Sequence, residues 1–169
     1  MTGAIMTGGK LLAGAILALV LTAGGARAEV PDGTKIDKRL VGNLMSWVVT
    51  QTGYQAPNQP TVLASEEKFQ LVMKMKGVHY ADARAMYIPG MVILNNYTWD
   101  EQDPVQISLL VHELVHHAQL FSKRKYACAE AKEYEAYTIQ NKWLEAHGHR
   151  PFASQGWIDR MSDCENHDS

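Results

Sequence analysis

The stretch of residues 105–121 is predominantly apolar and carries a His-Glu-Leu-Val-His motif near its centre. Apolar side chains cover most of the circumference of a helix with this sequence, which predicts a central, buried helix. Residues four apart lie on one face of a helix, so His112 and His116 can direct their imidazoles at a single metal ion. Glu113 comes one step around the helix, where its carboxylate can take a proton from a water on that ion. The rest of the chain must therefore surround this helix and still leave the two histidines a common target.

The motif H-E-x-x-H on a helix is the arrangement by which zinc metalloproteases supply two metal ligands and a general base. The preceding residues favour that helix, because Asp103 is a good N-cap and Pro104 suits the first helical position. Together with Ser108 and Gln119, the two histidines form a polar stripe along this apolar helix. Buried polar groups need partners, and a metal ion would supply one. The alternative is that both histidines are core residues satisfied by hydrogen bonds.

A catalytic zinc site needs a third protein ligand, and the segment 133–137 contains two candidates. It lies on the next predicted helix, which an antiparallel return would bring against His112 and His116. Glu133 and Glu135 are two residues apart, so they face different directions and we expect only one to reach the metal. We favour Glu133, because its face of the helix is the less charged, and Glu135 is the alternative third ligand. Either residue could also be an ordinary surface glutamate.

The two segments together resemble the gluzincin zinc metallopeptidases, and in particular small exported bacterial proteins with this pattern. In gluzincins a helix with H-E-x-x-H is followed by a helix that supplies a glutamate ligand, often as E-x-x-A-D or E-x-x-A-N. The resemblance covers residues 103–143 and implies Zn²⁺ as the cofactor. The implied ligands are His112, His116 and Glu133, and the implied general base is Glu113. Where those proteins often carry Asp or Asn, this chain has Tyr137, whose hydroxyl can still orient a ligand histidine.

Residues 1–28 have the pattern of a secretory signal peptide. Lys10 is the basic flank, residues 11–21 form an uncharged apolar core, and Ala26-Arg27-Ala28 is a small-residue cleavage site. This pattern predicts a periplasmic or secreted protein. The mature chain, residues 29–169, has the length of one domain, and the resemblance implies that this domain is zincin-like. An uncleaved anchor is the alternative, although the apolar core is shorter than the roughly 20 residues of a membrane span.

The net charge of the mature chain argues against some classes of partner. Without Lys10 and Arg27, 14 basic residues remain against 18 acidic ones, a formal net charge of −4. A mildly acidic chain is not expected to bind nucleic acid or an anionic membrane as its main partner. No segment after residue 28 is apolar for long enough to insert stably in a membrane. The expected partner is a peptide or protein substrate, and the sequence sets no oligomeric state.

The two cysteines, Cys128 and Cys164, predict one disulfide, because exported proteins fold in oxidising compartments. The bond would close a loop of about 37 residues and, by chain-entropy arithmetic, contribute ~3–4 kcal/mol. It would tether a C-terminal tail, residues 162–169, to the start of the helix that carries Glu133. Two free thiols are the alternative.

The remaining patterns predict an α+β fold that is mostly helical. Beside the central helix, helices are predicted at 35–51, 65–76, 127–145 and within 151–161, and strands at 61–64, 85–88 and 91–94. Thr34 or Asp32 would cap the first helix, Ser65 the second, and Gly77 would end the second. The resemblance implies that the whole is a minimal zincin-like domain with an active-site helix, a glutamate helix and a small β-hairpin or sheet.

The predicted function is zinc-dependent hydrolysis of peptide bonds in the cell envelope or outside the cell, with Glu113 as general base. The alternatives are a metal-binding interaction protein without turnover and a helical envelope protein without metal. The candidates for an oxyanion donor are Tyr126, Tyr134, Tyr137, His147 and His149. By the same resemblance, the region 87–94 is the expected edge for an extended substrate, and His117 is expected behind the site or at the surface.

Overall fold

Five helices and four short strands make up an α+β fold in the computed structural model, which describes residues 30–55, 57–76 and 83–165. The helices are α1 Lys38–Thr52, α2 Glu66–Lys76, α3 Pro104–Phe121, α4 Ala131–Ala146 and α5 Gln155–Met161, and the strands are β1 Thr34–Lys35, β2 Thr61–Ala64, β3 Ala85–Ile88 and β4 Met91–Leu94. The predicted fold class is confirmed. The predicted signal peptide, Gly77 and residues 166–169 of the predicted tail lie outside the described residues. Within the described ranges, no helix combines the length and the apolar character needed to cross a membrane.

The four strands form one mixed sheet in the order β1-β2-β4-β3. β2 and β4 run parallel at its centre, with Val62 opposite Val92, whereas β1 and β3 pair antiparallel at the two edges. β3 and β4 form the predicted hairpin about Pro89-Gly90, where the positive φ of 82° suits a glycine. The parallel pair requires a crossover connection, and α2 is its helix.

Alternate side chains of the sheet point into two separate cores. On β4, Val92 and Leu94 pack in a cluster with α1, α3 and α4, whereas Ile93 packs with Phe69 and Met73 of α2. α3 is the central helix of the larger cluster, and its fully buried apolar residues are Leu110, Val111, Leu114, Val115 and Ala118. Burial of each branched side chain contributes about 1.5–3 kcal/mol. This burial holds α3, and with it the histidine motif, in a rigid position.

α4 packs against α3, and α5 packs against α4. Ile139 and Leu144 bury their side chains in the core beside α3. Asn141 fixes the turn that leads to α5, because it accepts a hydrogen bond from the Phe152 N–H at 2.8 Å and donates to the Ala153 carbonyl at 2.7 Å. The helix that carries Glu133 is therefore held from both sides.

The predicted disulfide is present and joins Cys128, just before α4, to Cys164, just after α5. The Cys128 sulfur also accepts a hydrogen bond from the Ala131 N–H at the start of α4, at 3.4 Å. The covalent link therefore anchors the first turn of the helix that carries Glu133. Such a bond is typical of proteins that fold in an oxidising compartment.

The predicted start of the first helix is wrong. α1 begins at Lys38, its N-cap is Asp37, and neither Thr34 nor Asp32 caps it. β1 pairs with β2 and contains Thr34, one of the two predicted caps, and Lys35, the first residue of the predicted helix. Asp32 instead accepts a hydrogen bond from the Glu66 N–H at the start of α2, at 2.7 Å. Pairing with a distant strand outweighed the local helical pattern.

The predicted start of the glutamate helix is also wrong. α4 begins at Ala131 and not at residue 127, because Cys128 lies in a bend before the helix, where the disulfide holds it. Tyr134, near the start of α4, is 48% exposed. The other end of the helix follows the prediction, since α4 ends at Ala146 and the predicted end is residue 145.

Candidate metal centre

His112, His116 and Glu133 converge at the interface between α3 and α4. The Nε2 atoms of the two histidines lie 3.1 Å apart. The Glu133 carboxylate reaches both rings: its Oε2 lies 3.1 Å from His112 Nε2, and its Oε1 lies 3.1 Å from His116 Nε2. The three ligand atoms lie within 4.8 Å of one another, so the group can hold a metal ion.

The spacing of these atoms fits a tetrahedral metal ion. Zinc bonds of about 2.0–2.2 Å at tetrahedral angles place neighbouring ligand atoms roughly 3.3–3.6 Å apart. The observed contacts of 3.1 Å need to widen by only a few tenths of an ångström to admit an ion. Two imidazoles and a carboxylate suit zinc and leave a fourth position for water or substrate.

Gln140 fixes the orientation of the His112 ring. Its Oε1 lies 3.1 Å from His112 Nδ1, and its Nε2 donates to Ser108 Oγ at 3.1 Å. The Ser108 hydroxyl already donates its proton to the Val105 carbonyl at 2.7 Å, so Ser108 can only accept from Gln140. The amide oxygen must therefore face His112, which donates from Nδ1 and turns Nε2 toward Glu133.

Gln119 does the same for His116 with different partners. Its Oε1 lies 2.9 Å from His116 Nδ1, while its Nε2 donates to the Lys132 carbonyl and to Glu135 Oε2, both at 3.0 Å. A carbonyl and a carboxylate are acceptors only, so the amide nitrogen must face them. His116 therefore donates from Nδ1 and turns Nε2 toward Glu133.

The charges within this group support one another. Burial lowers the pKa of His116, but the hydrogen bond and charge of Glu133, with a smaller contribution from Glu113, outweigh burial and raise the pKa to about 9. Burial raises the pKa of Glu133, but hydrogen bonds from His112 and His116 outweigh it and hold this pKa well below its usual range. The Glu133 carboxylate is therefore ionised at neutral pH, as a metal ligand must be.

Glu113, the predicted general base, is buried next to the histidines, with 9% of its surface exposed. Its negative charge contributes to the raised pKa of His116, so its carboxylate lies within electrostatic reach of that ring. A general base needs a carboxylate beside the ion and outside the ligand set. The placement of Glu113 suits this role, which stays a prediction.

Glu135, the alternative third ligand, lies outside the group of three and has its own partners. Its carboxylate accepts from the Tyr54 hydroxyl at 2.7 Å, the Tyr126 hydroxyl at 3.0 Å and the Arg124 guanidinium at 3.2 Å. Its side chain is 17% exposed. Residues two positions apart on a helix point about 200° away from each other, so Glu135 and Glu133 lie on different faces of α4. The metal-ligand role of Glu133 stays a prediction.

Tyr137 packs its ring against His112, with the ring centroids 4.3 Å apart. Trp157 makes an edge-to-face contact with Tyr137 at 4.6 Å. The sequence offered the Tyr137 hydroxyl as a group that could orient a ligand histidine. In this structure His112 Nδ1 donates to Gln140 Oε1, at 3.1 Å. The glutamine lies about two helical turns after Glu133, on the same face of α4.

The other four candidates for an oxyanion donor have different surroundings. Tyr126 bonds to Glu135, His147 stacks on Trp143, and Tyr134 and His149 are exposed. Tyr137 is therefore the candidate donor in contact with a ligand ring.

His117 is a buried link between α3 and the sheet, with 2% of its surface exposed. Its Nε2 donates to the Asn58 carbonyl at 2.7 Å, so its Nδ1 accepts from the Tyr87 hydroxyl at 3.2 Å. Burial lowers the pKa of His117, which favours this neutral form. His117 is therefore not at the surface, and its hydrogen bonds go to Asn58 and Tyr87.

Sequence reasoning missed the two glutamines that orient the rings and the phenol groups that hold Glu135. A signal for the glutamines was present: Gln119 lies in the polar stripe of an apolar helix, and Gln140 lies on the inward face of the next helix. Tyr54 has no such signal, because it follows α1 and lies 81 residues before Glu135 in the chain.

The fold and the site define an α+β protein with a two-histidine, one-glutamate candidate metal centre on two packed helices. The family described as a domain of unknown function (DUF6647) matches residues 33–169, and the chain belongs to this family. The matched range contains all the described helices and strands and the three candidate ligands. No curated protein and no solved structure matches the chain.

Proposed function

We propose that this protein hydrolyses peptide bonds with a zinc ion, in the manner of the gluzincins that its motifs resemble. The observation that carries the proposal is the convergence of His112 Nε2, His116 Nε2 and the Glu133 carboxylate. Three protein ligands with a free fourth position are typical of catalytic zinc sites. Ligand histidines whose other nitrogen is held by an outer hydrogen bond are typical of metal sites in general.

The residues of the site have distinct tasks in this reaction. When bound, zinc supplies Lewis acidity, which makes water a nucleophile near neutral pH and polarises the scissile carbonyl. Glu113 accepts a proton from the attacking water and passes it to the leaving amine. Gln140 and Gln119 keep the two Nε2 atoms aimed at Glu133 and the ion. Tyr137, which packs on His112, is the candidate to donate a hydrogen bond to the oxyanion.

An extended peptide is the substrate that the sheet edge favours. β3 is an edge strand and pairs with β4 on one side. The hydrogen bond between Tyr87 of β3 and His117 of α3 holds this edge against the helix that carries the histidines. A peptide added to β3 as a further strand would run beside that helix, with main-chain hydrogen bonds to the edge.

We further propose that the protein works in the periplasm or outside the cell. Residues 1–28 have the composition of a signal peptide, and the disulfide between Cys128 and Cys164 suits an oxidising compartment.

The test uses the purified mature chain, residues 29–169, with metal analysis and cleavage of casein in the presence and absence of a chelator. We expect about one zinc ion per chain and cleavage that the chelator abolishes and added zinc restores. Glu113→Gln should keep the zinc and lower the rate at least about a hundredfold, because a carboxamide cannot accept the proton. Glu145→Gln, which changes an exposed glutamate near the end of α4, is the matched control.

Three other outcomes would each reject a different part of the proposal. Zinc binding without cleavage by the wild type would favour a metal-binding protein without turnover. Full cleavage by Glu113→Gln would show that the general base is another residue. A protein without bound metal would favour the third alternative, in which the histidines are core residues of a helical envelope protein.

A further inference from the structure

We propose that Glu135 is a positioning residue for the ligand His116 and acts through Gln119. This inference rests on the proposed metal site. Glu135 is connected to that site by two successive hydrogen bonds. Its Oε2 accepts from Gln119 Nε2 at 3.0 Å, and Gln119 Oε1 accepts from His116 Nδ1 at 2.9 Å.

The connection transmits orientation because a glutamine amide has one donor end and one acceptor end. Glu135 and the Lys132 carbonyl bind the NH₂ end of Gln119 and turn its oxygen toward His116. A reversed amide would place its oxygen against two acceptors. Glu135 thus helps to keep Nδ1 of His116 directed at Gln119, and Nε2 remains directed at Glu133 as the candidate metal-binding atom.

The carboxylate of Glu135 is itself held firmly by groups from two other segments. Tyr54 follows α1, and Arg124 and Tyr126 lie in the loop between α3 and α4. Tyr54 contacts both carboxylate oxygens, at 2.8 and 2.7 Å. These contacts hold the Glu135 carboxylate outside the group of candidate ligands. A displacement of the loop between α3 and α4 would therefore move Glu135 and, through it, Gln119.

The support of His112 shows that orienting a ring does not by itself require a charge. Gln140 is oriented by the hydroxyl of Ser108, which is neutral. A carboxylate in the equivalent position behind His116 adds negative charge to the hydrogen-bonded chain. Outer carboxylates of this kind make a histidine a stronger ligand, so we infer that Glu135 raises metal affinity as well as fixing the ring.

Cobalt-loaded protein tests this role without any need for catalysis. Co²⁺ occupies nitrogen and oxygen sites of the zinc type, and the exchangeable Nδ1 proton of each ligand histidine gives its own paramagnetically shifted NMR signal. In Glu135→Gln we expect the His116 signal to shift and exchange faster while the His112 signal stays. The affinity for Co²⁺ should fall about tenfold. The variants Gln119→Leu and Gln140→Leu assign the two signals.

The matched control is Glu145→Gln, which removes an exposed carboxylate from the same helix and should change neither the signals nor the affinity. An unshifted His116 signal with wild-type affinity in Glu135→Gln would overturn the positioning role. A lower melting temperature with an unshifted signal would also overturn it, because only fold stability would then depend on Glu135. Glu135→Asp, which withdraws the charge from Gln119, replaces Glu135→Gln if that variant does not fold, with the same expected shift.

Failure of the proposed function is a separate result. If the wild type binds Co²⁺ but its zinc form cleaves no peptide, the hydrolase proposal fails and the NMR signals still decide the role of Glu135. If cleavage is normal and Glu135→Gln behaves as the wild type, the present inference alone fails. A wild type that binds neither ion overturns both.

Discussion

The two candidate ligand histidines are supported by structures of different kinds. Behind His112, Gln140 and Ser108 form a neutral chain that ends inside the core. Behind His116, Gln119 is hydrogen-bonded to the carboxylate of Glu135. That carboxylate accepts further hydrogen bonds from Tyr54, just after α1, and from the α3–α4 loop. The first support is part of the packing that forms the fold, and the second depends on segments near the surface. One ring is therefore oriented from within the core, and the other is oriented through segments near the surface.

The largest expected difference is between the two glutamates of α4. Glu133→Gln removes a charged ligand and should weaken Zn²⁺ binding at least about a hundredfold, whereas Glu135→Gln should weaken it about tenfold. Competition with a chromophoric zinc chelator measures both. If Glu135→Gln caused the larger loss, the third ligand would be Glu135.

Removal of the two glutamines should separate the supports by their contribution to stability. Gln140→Leu leaves the buried His112 Nδ1 without its acceptor and removes one of the two hydrogen bonds of Ser108, so it should lower the free energy of unfolding by about 2–3 kcal/mol. Gln119→Leu should lower it by about 1–2 kcal/mol, because Glu135 keeps three other donors and the His116 side chain is partly exposed. Denaturant unfolding of the metal-free variants measures both values, and equal losses would remove the distinction between a core and a surface support.

The metal-free protein should lose stability as the pH rises through the pKa of His116. Burial lowers the pKa of His116, but the opposing effect of Glu133 is larger, and the pKa rises from 6.5 to about 9. Protonated His116 therefore stabilises the fold fully below pH 6.5, and this contribution is lost by about pH 9. The contribution of Glu133, whose pKa is lowered, is present above pH 4.5 and is lost in acid. Thermal unfolding in the presence of a chelator follows both. The alkaline fall in Tm should be absent in Glu133→Gln, and its persistence there would assign it to other groups.

The smallest expected effects come from the outermost members of the two supports. Tyr126→Phe removes one of several donors to Glu135 and should cost less than about 1 kcal/mol. Ser108→Ala leaves the buried Nε2 of Gln140 without its acceptor and should cost about 1–2 kcal/mol. Thermal unfolding ranks the two variants, and the reverse order would mean that the His116 support contributes more to stability.

The accuracy of the sequence predictions differs between the middle of the chain and the starts of two helices. α3 begins at Pro104 after the predicted cap Asp103, whose carboxylate accepts from the Val105 N–H at 2.9 Å. The signals for the start of this helix, Asp103 and Pro104, are adjacent to it in the sequence. The predicted starts of α1 and α4 were wrong, because β1 pairs with β2 and because the disulfide holds Cys128 before α4. Those constraints come from residues far along the chain, which a local pattern does not contain.

In the candidate site, too, some features follow from the local sequence and others depend on contacts between distant segments. His112, Glu113 and His116 share one helix, so their spacing was enough to place the two imidazoles on a common face. From the sequence, Glu133 was preferred to Glu135 because its face of the helix is the less charged. Only the packing of α4 on α3 shows where each of the two side chains lies. The partners of Glu135 were out of reach of sequence reasoning, since Tyr54 lies 81 residues away.

Residue identity and spacing were thus sufficient for the buried helix, its two stacked histidines and the acidic residues available to them. Only the packed molecule selected Gln140 and Gln119 as the groups that orient the rings, and Glu135 as an outer carboxylate. The physical reason is that the direction of a hydrogen bond depends on which donors and acceptors meet, and in this site they meet across different elements of the fold.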